Sequence, residues 1–587
     1  MKRLYVLILM SMLSGIVVKA QTTVFDSNKD TGFSLYDNRA IEQKSVCSSF
    51  EENGKMIYDI EVFKGDRSQY AVGLSFKTSK NIEKGDVLLA RISMKTIYAK
   101  QETGESAIYY MLQEPAPTYG KSFNVALGCD SEWTTFDIPF KAHTDFPAGY
   151  GVVELSLGAL AQHILVRDII IMDYGKDKDL NELPKTRFTY AGREEGAAWR
   201  EEALERIEKI RASDVVVSVI DKKGRPVKGA QVHVKMDQSD FIWGCSIGAP
   251  CFWHDGKIDS TYAANLLRCF NTSVLGNGLK TGGWYENSRR LATLHTMEWL
   301  QDNGFRIRGH NLVWPGWKFN SAATRLMAEQ DPATFDRYIK AQFYERMAYA
   351  KGKVIAWDVI NEPMHERDFF NILHEDVMVD WFKLAKELDP DAQLFINEYS
   401  MLNCAQSTDN IDAYIDLINR LRSKGAPIEA IGVQGHVGTQ PRAPQLVISD
   451  LDRFVPLGLP VQITEWDINT KDEELQADYS RDFLIAVYSH PVIEGVTMWG
   501  FWQGDHWKPD AALYRKDWSP KSNAAVWDEY VLGKWKTDVT FPTDRKGNST
   551  VHAHFGTYTV TVTYKGKTIE RKCHVGKDGL CMQFEID

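Results

Sequence analysis

The sequence lacks several patterns that mark large classes of proteins. It has no long basic run, and its 69 Lys and Arg residues are outnumbered by 79 Asp and Glu residues, for a formal net charge of -10. Both features argue against a nucleic-acid partner. There is no CxxC pair and no HxxxH spacing, so no metal site is predicted. Beyond the first 20 residues no apolar segment indicates a membrane span.

Cysteine is sparse, with eight residues in 587. Two close pairs stand out, Cys573 with Cys581 around a turn-like stretch, and Cys245 with Cys251. Exported chains can form disulfides, but spacing alone leaves both pairings open.

The N-terminus has the pattern of a secretory signal. Lys2 and Arg3 precede an apolar run, and Val18-Lys19-Ala20 is a small-residue cleavage site. A membrane anchor is the alternative, but the run is short and no stop-transfer charges follow. We therefore expect residues 1–20 to be a cleaved signal peptide and the protein to be secreted or periplasmic.

Three further kinds of pattern divide the remaining chain. Residues 21–178 alternate in short polar and apolar segments between turn residues, which predicts a β-sandwich, and this resembles the jelly-roll carbohydrate-binding modules. A linker helix is expected over 179–213. The strand-like segments 214–237 and 537–587 are each too small to fold alone, so we expect them to form one discontinuous β domain, with two separate excursions as the alternative.

Residues 238–536 alternate short apolar strands with amphipathic helices. Eight such strands recur every 30 to 50 residues, which predicts a closed (β/α)8 barrel and an α/β fold class. Polar residues follow the carboxyl ends of these strands, where the loops of such barrels carry the chemistry: Asn277, His310, Asn361, Glu362, Asn397, Glu398, Gln434, His436 and Glu465.

Glu362 and Glu465 end the fourth and seventh strands, which face each other across an eight-stranded mouth. Two facing carboxylates without metal ligands indicate glycoside hydrolysis, in which one delivers a proton and the other attacks the anomeric carbon. Asn361 is suited to bind a sugar hydroxyl, and His436 to hold Glu465 in place. Two carboxylates suffice, so no cofactor is predicted.

The stretches "WDVINEP", "RGHNLVW", "IGVQGH", "ITEWDI" and "GVTMWGFWQGDHW" resemble glycoside hydrolase family 10, the endo-β-1,4-xylanases. The resemblance covers residues 240 to 530 and implies a retaining mechanism, with Glu362 as acid/base and Glu465 as nucleophile, on a polysaccharide or oligosaccharide substrate. It also implies a set of substrate-binding residues: Asn277, Lys280, His310, Trp314, Asn361, Gln434, His436, Trp499 and Trp507.

The chain departs from the family pattern around the outer glycone subsite. Gly276 and Gly278 flank Asn277 where the family has Glu, and Pro315 and Trp317 replace its His and Gln. The subsite is therefore expected to have lost a carboxylate and gained a bulky ring. Three functions stay open: a xylanase for plain or decorated xylan, a barrel hydrolase for another β-linked glycan that acts exo-wise if the Trp317 loop blocks one end, and a glycan-binding protein without catalysis. The sequence does not indicate an oligomeric state.

Overall fold

The computed structural model describes residues 21–586 except 67, 102 and 403–406, and it leaves out the side chains of 407–409. The predicted signal peptide lies outside the described residues. Apart from residues 102–104, the chain forms two compact units, one of residues up to 187 and one from residue 188 onward.

The first unit consists of antiparallel strands. They are β1 Thr22–Asp26, β2 Ser34–Asp37, β3 Val46–Glu52, β4 Lys55–Val62, β5 Val72–Lys77, β6 Val87–Ala99, β7 Ile108–Gln113, β8 Lys121–Leu127, β9 Thr134–Lys141, β10 Val152–Ser156 and β11 Gln162–Asp173. One sheet has the order β3-β4-β11-β6-β9 with β1 also paired to β11, and the other has the order β2-β5-β10-β7-β8.

Apolar side chains from both sheets form the core of this sandwich. Phe76 of β5 contacts Phe25 of β1 and Tyr58 of β4, with ring centroids 5.3 and 5.2 Å apart. Side chains alternate between the two faces of a strand, so the other face of the five-stranded sheet points away from this core.

The second unit begins with α1 Ala198–Arg211, β12 Ala212–Ile220 and β13 Gln231–Ser239, and continues into alternating strands and helices. The strands are β14 Ile242–Ser246, β15 Trp253–His254, β16 Lys257–Ile258, β17 Thr272–Val274, β18 Arg306–Gly309, β19 Ala356–Asn361, β20 Gln393–Glu398, β21 Ala430–Val433, β22 His436–Val437, β23 Val461–Ile468 and β24 Ile493–Met498. The helices are α2 Ala249–Phe252, α3 Ser260–Cys269, α4 Thr281–Trp284, α5 Asn287–Asp302, α6 Ala322–Gln330, α7 Pro332–Ala350, α8 Phe370–Leu373, α9 Val377–Leu388, α10 Ser407–Ser423, α11 Pro444–Asp452, α12 Glu473–Tyr488 and α13 Ser522–Glu529.

Eight parallel strands close into a barrel, in the order β14-β17-β18-β19-β20-β21-β23-β24. Closure comes from the parallel pairing of β14 with β24 and of β21 with β23. The predicted (β/α)8 fold is confirmed. Parallel pairing brings all the strand ends, and the loops that follow them, to one mouth.

The segments on either side of the barrel pair with each other. The last strands are β25 Asp538–Pro542, β26 Asn548–His554, β27 Gly556–Tyr564, β28 Lys567–Val575 and β29 Leu580–Glu585. β12 lies between β26 and β29, and β13 lies between β25 and β27. Val217, Val234, Val560 and Phe584 share one buried cluster, so both segments contribute to the same core.

Neither of the two cysteine pairs forms a disulfide. Cys245, Cys251, Cys573 and Cys581 are free, as are the other cysteines that the structure describes. None of the helices in the described ranges has the length and apolarity needed to cross a bilayer.

Candidate active site

The two acidic residues of the predicted pair lie at the barrel mouth, on β23 and directly after β19. Glu465 is within β23, and Glu362 follows Asn361, the last residue of β19. Glu362 has a φ of 59°, in the left-handed region that residues other than glycine rarely adopt. Strained backbone conformations of this kind cluster at active sites and ligand-binding sites.

Glu362 is buried among hydrogen-bond donors. Trp314 Nε1 donates to its Oε2 at 2.7 Å, and Gln434 Nε2 donates to its Oε1 at 2.9 Å. Burial, and then the nearby charge of Glu398, raise the pKa of Glu362 to about 8, with a further contribution from Glu465. This carboxyl is therefore protonated at neutral pH, as a general acid must be.

Glu465 faces donors on both oxygens. Asn397 Nδ2 lies 2.8 Å from Oε1, and His436 Nε2 lies 3.5 Å from Oε2. His310 Nε2 is 4.0 Å from Oε1. Donors of this kind support a negative charge on the carboxylate, which a nucleophile needs.

Two asparagines connect the carboxyl groups. Asn361 Nδ2 donates to Glu362 Oε1 at 3.1 Å, and Asn397 Nδ2 lies 2.7 Å from Asn361 Oδ1 as well as close to Glu465. A continuous hydrogen-bonded chain therefore runs from Glu362 to Glu465 through Asn361 and Asn397.

His436 is held from behind by Asp467. Their Nδ1 and Oδ1 atoms are 3.1 Å apart, and Trp507 Nε1 donates to the other Asp467 oxygen at 2.6 Å. Burial opposes the charge on His436, but Asp467 and Glu465 outweigh it and raise the pKa of His436 to about 10. The imidazole therefore presents a positive charge to Glu465.

His310 is held in the same way by Asp358, at 2.8 Å from Nδ1 to Oδ2. Arg308 also pairs with Asp358, and its Nη1 donates to Gln462 at 3.0 Å. The edge of the His310 ring meets the Trp499 ring, with centroids 4.9 Å apart.

A pocket of about 180 Å3 opens beside this site, and its lining includes Asn277, Lys280, Trp314 and Phe319. Lys280 Nζ lies 4.5 Å from the centroid of the Trp314 ring and 5.8 Å from that of Trp499. Burial lowers the pKa of Lys280, while the carboxylates Glu465 and Glu362 act in the opposite direction.

The structure thus brings all eleven predicted site residues to the barrel mouth. Asn397 and Glu398, which the sequence analysis listed at a strand end without a role, also contact the site, as do Asp358 and Asp467, which it did not list. Of the two unlisted residues, Asp467 has a sequence signal: it stands two residues after Glu465, so both side chains lie on the same face of β23. Asp358 pairs with a residue of another strand, which spacing along the chain does not reveal.

The barrel part of the chain is similar in sequence to known proteins. A model of "Glycosyl hydrolase family 10" matches residues 243–534. The "Beta-1,4-xylanase" of Dictyoglomus thermophilum is 31% identical over 269 residues, which cover 40% of this chain and 72% of that protein. The chain belongs to glycosyl hydrolase family 10.

Two other known proteins match different shares of this chain. "Anti-sigma-I factor RsgI6" of Acetivibrio thermocellus is 31% identical over 379 residues, which cover 63% of this chain and 48% of that protein. The chain therefore spans about half the length of this relative. The solved structure of a thermostable mutant of a xylanase (Xyn10A) from Cellvibrio japonicus is 22% identical, with a TM-score of 0.43, over 50% of this chain and 98% of that one.

The departures from family 10 have a structural basis. A Cβ at Gly276 would lie 2.9 Å from Ser246 Oγ, and one at Gly278 would lie 2.4 Å from Thr293 Oγ1. The side chains of Ser246 and Thr293 therefore occupy the space beside these glycines. Both would have to move or be replaced before a glutamate could fit at either position.

Trp317, the bulky ring expected at the outer glycone subsite, lies away from this pocket. Trp317 packs against Phe335 and Phe369, with ring centroids 5.8 and 4.9 Å apart, and does not line the pocket. The added ring at the pocket is Phe319, which stacks on Trp314.

Over the described ranges, no group of three or more His, Cys, Asp or Glu side chains has the arrangement of a metal site. The site chemistry that the residues support is proton transfer and nucleophilic attack by carboxyl groups.

Proposed function

We propose that this protein is a retaining glycoside hydrolase that cleaves internal β-1,4 linkages of xylan or a decorated xylan. The observation that carries the proposal is the pair of carboxyl groups in opposite environments. Glu362 is buried with a pKa raised to about 8, and Glu465 faces a positively charged imidazole. A carboxyl group whose surroundings favour its protonated form is suited to be the acid, and one that faces a positive charge is suited to be the nucleophile.

The mechanism follows from these roles. Glu362 donates its proton to the glycosidic oxygen while Glu465 attacks the anomeric carbon, so the leaving sugar departs and a covalent glycosyl ester forms on Glu465. Glu362, now ionised, then takes a proton from a water molecule that attacks the anomeric carbon. The bond from this carbon to Glu465 breaks, the carboxylate is regenerated, and the product is released with its original anomeric configuration.

The remaining mouth residues bind and orient the sugar in this proposal. Asn361 bonds the 2-hydroxyl of the sugar at the cleavage point, and Trp499 and Trp507 supply apolar faces for pyranose rings. Asn277 and Lys280 bind the next sugar in the pocket that Phe319 also lines. Similarity to "Endo-1,4-beta-xylanase 1" of Arabidopsis thaliana and to the "Beta-1,4-xylanase" of Dictyoglomus thermophilum supports xylan as the substrate.

Secretion or export to the periplasm through a cleaved segment 1–20 is part of the proposal, because xylan is an extracellular polymer. The proposal also divides the chain into domains. They are a sandwich over 21–178, a linker over 179–213, a discontinuous β domain over 214–237 and 537–587, and a catalytic barrel over 238–536.

The test is product analysis on plain xylan, arabinose- and glucuronate-decorated xylans, mixed-linkage β-glucan, cellulose and mannan. Wild type should release a ladder of oligosaccharides from at least one xylan, and NMR should show the β-anomer first. Glu465→Gln should reduce hydrolysis by about a thousandfold or more. Glu474→Gln is the matched control, because that side chain is 84% exposed.

Four results would overturn parts of this proposal. An α-anomer as first product excludes the retaining mechanism. Release of a single small sugar points to exo action, and hydrolysis restricted to another polymer rejects xylan. Activity that survives Glu465→Gln rejects its role as nucleophile.

A further inference from the structure

A cleft on the N-terminal sandwich lies on the outer face of its five-stranded sheet. It encloses about 550 Å3, and the residues that line it include Tyr36, Tyr70, Gln113, Tyr119, Lys121 and Glu154. This volume falls in the range of pockets that bind small molecules or short polymer segments. The barrel chemistry uses none of these residues.

The alternation of side chains along β10 shows which residue forms the floor of the cleft. Val153 and Leu155 of β10 point into the sandwich core, so Glu154 between them points to the opposite face. Gly73 on the neighbouring β5 lacks a side chain, and a Cβ there would lie 2.4 Å from Tyr36 Oη. The absence of that atom lets the Tyr36 ring lie across the sheet and reach Glu154.

The floor is a buried polar network. Glu154, 6% exposed, accepts hydrogen bonds from Tyr36 Oη at 2.7 Å, from Ser156 Oγ at 3.0 Å and from Gln113 Nε2 at 2.7 Å. Within the described part of the chain no cation forms an ion pair with this carboxylate. A carboxylate offers about four acceptor positions, so three donors leave capacity for a hydroxyl of a ligand.

The rim of the cleft is aromatic and open to solvent. Tyr70 and Tyr119 are 43% and 53% exposed, and Tyr119 has a φ of 50°, a conformation that residues other than glycine adopt rarely. Lys121 Nζ lies 5.7 Å from the centroid of the Tyr70 ring and donates to the Tyr119 carbonyl at 3.1 Å. Large aromatic rings kept at the surface cost hydrophobic burial, so their exposure suggests a ligand that covers them.

The chemistry of the cleft selects a class of ligand. An acidic floor disfavours phosphates and other anions, and a floor of hydrogen-bonding groups disfavours a purely apolar ligand. A pyranose has an apolar C–H face for the tyrosines and hydroxyls for Glu154 and Gln113. We propose that this cleft binds a segment of a β-linked polysaccharide chain and so holds the enzyme on its polymer. That the ligand is of the same class as the substrate rests on the proposed function.

When the cleft holds the enzyme on the polymer, the local concentration of cleavable bonds around the barrel is raised. The cleft should then matter for insoluble polysaccharide and not for short soluble oligosaccharides, which diffuse freely to the barrel.

The experiment uses the full chain with Tyr70→Ala, Tyr119→Ala and the double change. Tyr150→Ala is the control, since Tyr150 is an exposed tyrosine of the same sandwich that does not line the cleft. Each variant is measured for retention on insoluble xylan, mixed-linkage glucan, cellulose and mannan in the Glu465→Gln background. Hydrolysis of xylohexaose and of insoluble xylan is measured with Glu465 intact.

The double variant should lose about tenfold in retention on at least one polymer, as expected when stacked rings are removed. It should hydrolyse insoluble xylan more slowly and xylohexaose at the wild-type rate. Retention equal to that of Tyr150→Ala on every polymer would overturn the proposal. The two proposals fail separately: tyrosine-dependent retention without any xylan hydrolysis rejects the proposed function and keeps the cleft.

Discussion

Asn397 donates a hydrogen bond of 2.8 Å to Oε1 of Glu465, and the same amide group lies 2.7 Å from Asn361, which contacts Glu362. The backbone carbonyl of Asn397 also accepts from the N–H of Glu362 at 2.8 Å. One residue at the end of β20 therefore positions both carboxyl groups.

Asn397→Ala should lower kcat by about 10- to 100-fold with a small change in KM, because a misplaced nucleophile affects the chemical step more than substrate binding. Steady-state kinetics on a soluble xylan will measure this. Asn371→Ala, at an exposed position of α8, is the control. A rise in KM with unchanged kcat would mean that Asn397 binds substrate and does not position Glu465.

Glu362→Ala should lose about 100- to 10,000-fold in the hydrolysis of xylan, whose leaving sugar needs a proton. Aryl glycosides with good leaving groups need little proton donation, so this variant should still form the glycosyl ester on them and accumulate it. A burst of released phenol followed by slow turnover is the expected signature. If both steps are lost equally on these substrates, Glu362 is not the acid/base.

The raised pKa of Glu362 predicts the alkaline side of the pH profile. The acid must be protonated, so kcat/KM should fall as the pH rises through about 8. Glu398 is the second cause of this shift after burial. Glu398→Gln removes its negative charge, which should lower the pKa of Glu362 and move the alkaline limb to lower pH.

The measurement is kcat/KM against pH for wild type, Glu398→Gln and Glu375→Gln. Glu375 pairs with Arg367 and Arg420 on the outside of the barrel, so its removal should leave the limb in place. A limb that does not move in Glu398→Gln would show that Glu398 has no influence on the acid.

Arg346 supports the loops that carry Lys280 and Trp314. It is fully buried, and it donates to the carbonyls of Leu279, Asn311 and Leu312 at 2.7 to 2.9 Å. Burial lowers the pKa of Arg346 to about 10. These loop carbonyls would lose a buried donor in Arg346→Leu.

Arg346→Leu should lower the free energy of unfolding by about 3 kcal/mol or more, because each unpaired buried carbonyl costs about 1–3 kcal/mol. The thermal midpoint should fall by at least about 5 °C in calorimetry. Arg337→Leu on the exposed side of the same helix is the control and should change it little. Equal midpoints for the two variants would reject the supporting role of Arg346.

Local patterns in the sequence were sufficient to predict the barrel and the position of its site. Each strand is a short apolar run, and Asn361, Glu362, Gln434 and Glu465 stand where such runs end. Parallel strands in a closed barrel must bring those ends to one mouth, so the topology follows from the repeat and the site from the topology.

Only the tertiary structure decided how the two carboxyl groups differ. Glu362 and Glu465 have the same side chain and are buried to the same extent, at 6% and 5% exposed. They differ in their neighbours, which are Glu398 near Glu362, and His436 with Asp467 near Glu465. Those neighbours come from different strands. Which ring faces the pocket, Phe319 and not Trp317, depends likewise on the course of a turn.

For the cleft of the sandwich, too, the sequence predicted the strands and the tertiary structure decided which residues meet. Alternation along the chain predicted the strands, but Tyr36, Gln113 and Glu154 meet only because β2, β5, β10 and β7 are neighbours in one sheet. Sequence periodicity records which face of a strand is buried, whereas a site depends on which strands are paired. Strand pairing depends on long-range contacts throughout the core. The fold class and the candidate site residues could therefore be predicted from the sequence, whereas the neighbours that set the environment of each residue could not.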